Sequence, residues 1–294
     1  MCKKPYMRRP NTTRLDTIVD DNARLAATPF PCGQCLHCRI NKAREWQHRL
    51  LLELAVSNHA AFVTLTYDDE SLPKGGNLDP KHLTAFLKAL RYRYPEKFRY
   101  FAVGEYGEKT WRPHYHLALF GVPMTAEYVV QNAWDKGFTQ TGELNKASAG
   151  YITGYCTKKL TNGKDPYVVA KLDGRHPEFM RSSRRGGGIG IGAIRELAER
   201  IQGSRYRPDI IVRSINHGKK SKPLGRYLTN KLCDAIGITE QETKAEFWNY
   251  TEKIFQEHMN ELKGTYYDKL RDSTKAKRLS QEKKHKIYTQ GRTL

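Results

Sequence analysis

No apolar run in the 294 residues is long enough to cross a bilayer; the longest, such as Leu50-Leu51-Leu52, is far too short. The first thirty residues also lack the apolar stretch of a secretion signal, because Lys3, Lys4, Arg8, Arg9 and Arg14 interrupt them. Integral membrane and exported proteins are thereby set aside. Cysteine is scarce, at six residues, and in the reducing compartment expected here these read as metal ligands or plain thiols rather than disulfides. There is no internal repeat. The phosphate-loop pattern G-x-x-x-x-G-K-[ST] is missing too: GGGIGIG (186–192) has neither the lysine nor a preceding strand. Acidic residues are in short supply, 31 against 51 Lys+Arg, for a formal net charge of +20 and a pI near 9.7. An excess of that size favours a polyanionic partner, since each cation that neutralises a phosphate releases a condensed counterion.

What is present divides the chain into four stretches. Residues 1–57 form a basic segment holding the cluster PCGQCLHCR and a helix expected over Ile40 to Val56, with Trp46, Leu50 and Leu54 on one face. Residues 58–165 carry a strand at AAFVTLTY (60–67), then a helix opened by Asp79-Pro80 and ended by Pro95. Two strands follow, RYFAVGEY (99–106) and HYHLALFG (114–121), joined by a hairpin-like link. A short helix over Ala126 to Trp134, a strand at GFTQTGEL and a helix over Ala147 to Leu160 complete this part. Residues 166–235 are rich in Gly, Arg and Lys; residues 236–294 are helical in composition and increasingly basic. The order predicts an α+β fold: a mainly antiparallel central sheet flanked by helices, with a cysteine-rich N-terminal segment and a basic helical C-terminal extension.

Four constellations carry chemistry. His114 and His116 lie two apart in a strand, so both imidazoles project from one face. Glu105, near the end of the preceding strand, can face them across the hairpin and complete a two-histidine, one-carboxylate set for Mg²⁺ or Mn²⁺. Tyr151 and Tyr155 are i and i+4 on a helix, one above the other, with Lys158 and Lys159 following. A phenol with a pKa of about 10 is a poor nucleophile unaided. A nearby ammonium stabilises the phenolate, which favours Tyr155, three residues from Lys158, for the first attack. Cys32, Cys35 and Cys38 form C-x₂-C-x₂-C, the spacing of a structural Zn²⁺ site, with Cys2, His37 or His48 as the fourth ligand. Arg181, Arg184 and Arg185 beside the glycine run suit contacts to DNA phosphates.

Taken in order, FVTLTY (62–67), RPHYHLALFG and YITGYCTKK resemble the three motifs of the HUH endonuclease superfamily, in particular the rolling-circle replication initiators of microviruses of the gokushovirus-like branch. VGEYG resembles the stretch that supplies the acidic ligand in several viral initiators, and the early cysteine cluster and the later SRR–glycine segment match as well. The resemblance covers roughly residues 30–195. It implies a metal-dependent endonuclease of single-stranded DNA, a nick at the replication origin, a 5′-phosphotyrosine link and later religation. It also implies action in the cytoplasm of a bacterial host, with a host helicase and replication machinery as partners. A relaxase or transposase would use the same chemistry, and a noncatalytic zinc-containing nucleic-acid-binding protein would share the charge and the cysteines alone.

Overall fold

A computed structural model describes residues 6–8, 28–155, 166–204, 212–217 and 220–239, with a few positions beyond (242, 249, 275 and 279–284). Cys2, Lys158 and Lys159 lie outside the described residues. The chain divides into two compact units, Met1–Asn41 with Ile238–Leu294, and Lys42–Gly237. In the first, β1 (Tyr6–Arg8) pairs antiparallel with β2 (Thr28–Phe30). The helix α1 (Leu36–Ala55) opens there and continues into the second. It begins earlier than the hydrophobic spacing predicts: the Arg39 amide already donates to the Cys35 carbonyl at 3.0 Å, so Cys38 lies within the first turns.

The second unit is built on five antiparallel strands in the order β6-β3-β5-β4-β7. They are β3 (Ala60–Tyr67), β4 (Arg99–Tyr106), β5 (Pro113–Phe120), β6 (Gly137–Glu143) and β7 (Phe179–Ser182). This is the α+β sheet the sequence predicts. The period of two in β3 sends Ala61, Val63, Leu65 and Tyr67 to one face, where they meet Tyr115, Leu117 and Leu119 of β5.

That face is covered by α2 (Pro80–Arg93), α3 (Glu127–Ala133) and α5 (Pro166–Leu172). In α2 the apolar positions Leu83, Phe86, Leu87 and Leu90 fall on one stripe, and the Asp79 side chain caps the helix by accepting the Lys81 amide at 2.7 Å. Trp134 fills the centre, edge-on to Tyr67, Phe86 and Tyr115, and its indole N–H donates to the Thr66 carbonyl at 3.1 Å. The opposite face packs Phe101, Val103, Ala118 and Phe120 against Leu50 of α1 and against Ala149 and Ile152 of α4 (Lys146–Gly154).

At the turn into β6, Gly137 has φ +135°, and a Cβ there would collide with the Asp68 amide nitrogen and the Thr66 carbonyl. Gly137→Ala is therefore expected to cost about 3 kcal/mol of stability, read as a lowered urea midpoint, because backbone rather than a flexible side chain must move.

Beyond residue 165 the sequence shows glycine and positive charge, yet the chain there builds regular elements. β7 is a four-residue edge strand, too short to display an alternation. The helix α6 (Ile191–Gly203) buries Ile191, Ile194 and Ala198, and α7 (Gly225–Ile236) buries Leu228 and Leu232; with Leu52 of α1 they form a third apolar cluster. Between them β8 (Ser214–His217) and β9 (Lys220–Pro223) make a hairpin. His48 of α1, wholly buried, meets the Pro223 carbonyl through Nδ1 at 2.7 Å and His217 Nε2 at 2.8 Å.

Burial holds both imidazoles below the ordinary histidine value; the Pro223 carbonyl pulls His48 partly back, and Lys222 presses His217 further down. The unfolded chain therefore binds more protons than the folded one once pH falls below about 6.5. Stability is expected in full above that value and to be lost below it. Amide exchange followed from about pH 7.5 to about pH 5 should show the β8–β9 hairpin opening early.

Candidate catalytic site on the central strands

The β4–β5 register sets the site. Glu105 stands opposite His114, Val103 opposite His116, and on the other side of β5 Thr66 faces His114 and Thr64 faces His116. Opposed residues in an antiparallel pair share a face, so both histidines, both threonines and the carboxylate project together. The His116 and Glu105 side chains are nearly buried, with His116 Nε2 and Glu105 Oε1 2.9 Å apart. His116 Nδ1 lies 3.0 Å from Thr64 Oγ1 and His114 Nδ1 lies 3.2 Å from Thr66 Oγ1. The threonine hydroxyls hold the two rings through Nδ1, and His116 Nε2 is left facing Glu105.

Thr64 and Thr66, which hold the two histidines, are not singled out by the motifs in the sequence. Their signal is present: they are the polar positions of β3, alternating with Val63, Leu65 and Tyr67. Thr64→Val and Thr66→Val keep shape and strand preference while removing the hydroxyl. Each is expected to weaken divalent-ion affinity by roughly 10–100-fold, measured by Mn²⁺ titration.

The tyrosine helix lies over this platform. α4 starts at an Asn145 cap whose side chain accepts the Ala147 and Ser148 amides, while Ser148 Oγ accepts the Asn145 amide in return. Gly150 lets α4 lie close to α1, since a Cβ there would press on Gln47 Nε2 at 2.8 Å. Tyr155 follows the last turn with its ring stacked on His116, centroids 5.2 Å apart and planes 5° apart, and its hydroxyl is 3.3 Å from His116 Nε2. Tyr151 stands edge-on to the same imidazole at 5.4 Å and edge-on to Tyr155 at 5.3 Å. Phe62 also stacks with His116, centroids 5.9 Å apart and planes 8° apart. The phenols differ in environment: Tyr151 is 38% exposed and Tyr155 is 7% exposed. Burial, followed by the neighbouring Glu105 charge, pushes the Tyr155 phenol well above its ordinary range.

The donor set suits a divalent ion with mixed nitrogen and oxygen preference. Glu105 and His116 are in contact, whereas the His114 ring centre lies 6.4 Å from that of His116. Among the described residues the group whose donor atoms all gather within 4.8 Å is a different one, Cys32, Cys35 and Cys38. There Cys38 Sγ is 3.5 Å from Cys35 Sγ and 4.0 Å from Cys32 Sγ, and the Cys35 amide donates to Cys32 Sγ at 3.4 Å. Three converging sulfurs with an amide hydrogen bond fit a thiolate metal. His37 is buried beside Glu282 at 3.6 Å, and His48 is engaged by Pro223 and His217 as described.

The three arginines differ in setting, though all are exposed. Arg181 points to the α2 face, where it donates to Thr84 Oγ1 at 3.0 Å, while Arg184 and Arg185 are exposed in the turn after β7. The glycine run behind them is a packing device. The Gly188 amide donates to the Tyr227 hydroxyl at 2.7 Å and the Gly190 amide to Glu53 at 2.6 Å. A Cβ on Gly188 would strike Arg49 at 2.7 Å.

Comparison with known proteins places this arrangement in context. The family of replication-associated proteins of the ORF2 type matches residues 60–160, the span from β3 through the tyrosine helix. The replication-associated protein ORF2 of Spiroplasma virus 4 is 34% identical over 242 residues, 74% of this chain and 70% of that protein. The replication-associated protein VP4 of Bdellovibrio phage phiMH2K is 34% identical over 164 residues, 48% of this chain and 52% of its own length. The replication-associated protein ORF4 of Chlamydia phage 1 is 28% identical over 161 residues, 47% and 40% of the two chains. No solved structure matches at a significant level.

Proposed function

This chain belongs to the phage replication-associated proteins of the ORF2 family, and we propose that it starts rolling-circle replication by nicking single-stranded DNA at the origin and later rejoining the ends. The observation that carries this reading is the placing of two phenols around His116, at 5.2 and 5.4 Å, with Glu105 in contact with the same imidazole. A buried aromatic pair needs neither a carboxylate nor two threonine-oriented histidines beneath it.

His114, His116 and Glu105 would hold Mg²⁺ or Mn²⁺, which when bound polarises the scissile phosphodiester and offsets its charge. The rest follows from the chain's own groups. The spacing to Lys158 favours Tyr155 for the first attack, but Tyr155 is 7% exposed and Tyr151 is 38% exposed, so Tyr151 is the phenol that an incoming strand reaches first. Its oxygen forms a bond to phosphorus as the bond from phosphorus to the 3′ oxygen breaks; the phenolic proton is released and the 3′ oxygen ends as a hydroxyl. The product is a 5′-phosphotyrosine and a 3′-OH primer, so the phosphodiester energy is kept for rejoining. Tyr155, one turn along, is placed to attack the next origin copy while Tyr151 remains linked. Lys158 and Lys159 are assigned to stabilising phenolate, and Arg184 and Arg185 to backbone contacts. The cysteine group is assigned to structural Zn²⁺. A host helicase in the bacterial cytoplasm supplies unwinding.

Incubation with single-stranded origin DNA and Mn²⁺ tests the reading. A protein–DNA adduct that survives SDS is expected, and it should disappear when the divalent ion is chelated. A protein that binds the DNA yet never becomes linked to it is a noncatalytic binder, and the proposal falls.

A further inference from the structure

At the other end of β4 from Glu105 lies a cleft of about 840 Å³ that the chemistry above does not use. Its floor is apolar, with Tyr100 half-buried and Phe98 buried; its rim carries Arg91, Lys97, Arg184 and Arg185, while a fifth cation of the lining, Arg99, is paired with Glu53 at 2.8 Å. All four rim cations are exposed, and Glu96 is the one acidic residue of the lining. The Arg91 guanidinium carbon sits 5.4 Å from the Phe98 ring centre and 5.8 Å from that of Tyr100, so this exposed cation lies against both rings. The Tyr100 backbone is fixed against the Arg184 turn, because its amide donates to Ser183 Oγ at 3.0 Å and its carbonyl accepts the Ser183 amide at 2.9 Å.

An apolar floor inside a basic rim matches a nucleotide, whose base is flat and apolar on its faces and whose phosphate seeks arginine. A cavity of this size takes one small ligand. It is too small for a duplex, whose charge would also leave the rings unused. Resting on the reading that single-stranded DNA is the substrate, we propose that this cleft holds one unpaired nucleotide of the strand being cut. The base lies against half-buried Tyr100 beside the Arg91 guanidinium, and the phosphate lies between the exposed cations. From Arg99 to Glu105 the strand advances six residues, roughly 20 Å at about 3.3 Å per residue. The protein therefore grips the DNA at two points, one reacting and one anchoring.

The test uses the full chain and fluorescent oligonucleotides of two lengths, one confined to the nicked position and one extended past it. Arg184→Gln/Arg185→Gln and, separately, Arg91→Gln/Lys97→Gln should each weaken binding of the longer single strand by at least about tenfold. Each should also reduce the slope of log affinity against log salt by about 0.7, from the one phosphate whose contact is lost. An abasic nucleotide moved along the extension should weaken wild-type binding at one position and have no effect in the variants. Equal losses on both lengths, equal losses on a duplex of the same length, or unchanged salt slopes would each overturn the proposal. Adduct formation by the wild-type chain on the short oligonucleotide reports the covalent chemistry separately. The anchoring site can thus fail while the nick stands, and the reverse.

Discussion

Tyr151→Phe is expected to abolish the first covalent capture of origin DNA, a loss of at least about 10³-fold in adduct formation, while leaving DNA binding close to that of the parent. The change deletes one oxygen from the 38% exposed ring and leaves its edge-on contacts with His116, Phe62 and Tyr155 in place. Tyr155→Phe should behave differently. Its ring is 7% exposed, its hydroxyl is 3.3 Å from His116 Nε2, and burial beside Glu105 disfavours its phenolate. The first adduct should still form in that variant, and transfer of the strand to a second origin copy should be lost. Gel analysis of single-turnover and transfer reactions separates the two outcomes. A normal first adduct in Tyr151→Phe with none in Tyr155→Phe would reverse the order of attack. An adduct in the double phenylalanine variant would remove the tyrosines from the chemistry altogether.

His116→Ala should have the second large effect. It removes at once a nitrogen proposed as a metal ligand, the partner of Glu105 and the surface on which Tyr155 stacks. Divalent-dependent adduct formation is expected to fall by about 10³-fold or more, and excess Mn²⁺ should not restore it. Glu105→Gln keeps the shape and one acceptor oxygen, so a loss of roughly 10–100-fold, partly recovered by excess Mn²⁺, is expected there. Thermal melting of both variants distinguishes a lost site from a lost fold, since both side chains are nearly buried in the sheet. Adduct formation by His116→Ala at the parent rate would show that the histidine pair is structural.

Much of this site is legible in the sequence because its parts follow short periods. H-x-H in a strand and Y-x-x-x-Y in a helix each declare a shared face, and the hairpin between Tyr106 and Pro113 places Glu105 across from His114. The contact of Tyr155 with His116 spans 39 positions and follows no local rule; it exists because α4 crosses the sheet at the level where β5 turns from Ala118 and Phe120 to histidine. The elements past residue 165 were hidden for a different reason. β7 is four residues at an edge, and a Gly-Arg run before α6 masks the spacing of Ile191, Ile194 and Ala198. Without knowing that Phe179–Ser182 is a strand, nothing separates Arg181, on the α2 face, from Arg184 and Arg185 beyond its end. Likewise the glycines at 188 and 190 suggest an open loop, yet their amides are spent on Tyr227 and Glu53.

The strand that carries both histidines lies in the middle of the sheet, laddered to β3 on one side and to β4 on the other. Opening it means breaking two ladders, so the floor of the site lasts as long as the domain stays folded. The cycle we propose still requires something to give way, because in it one tyrosine carries off its strand while the other receives a new one. That freedom falls to α4, nine residues seated on Ala149 and Ile152. The pace of strand exchange should then follow the rocking of this short helix. Substitutions that loosen α4 would speed or slow the cycle, while those that loosen the sheet would only shorten the enzyme's life.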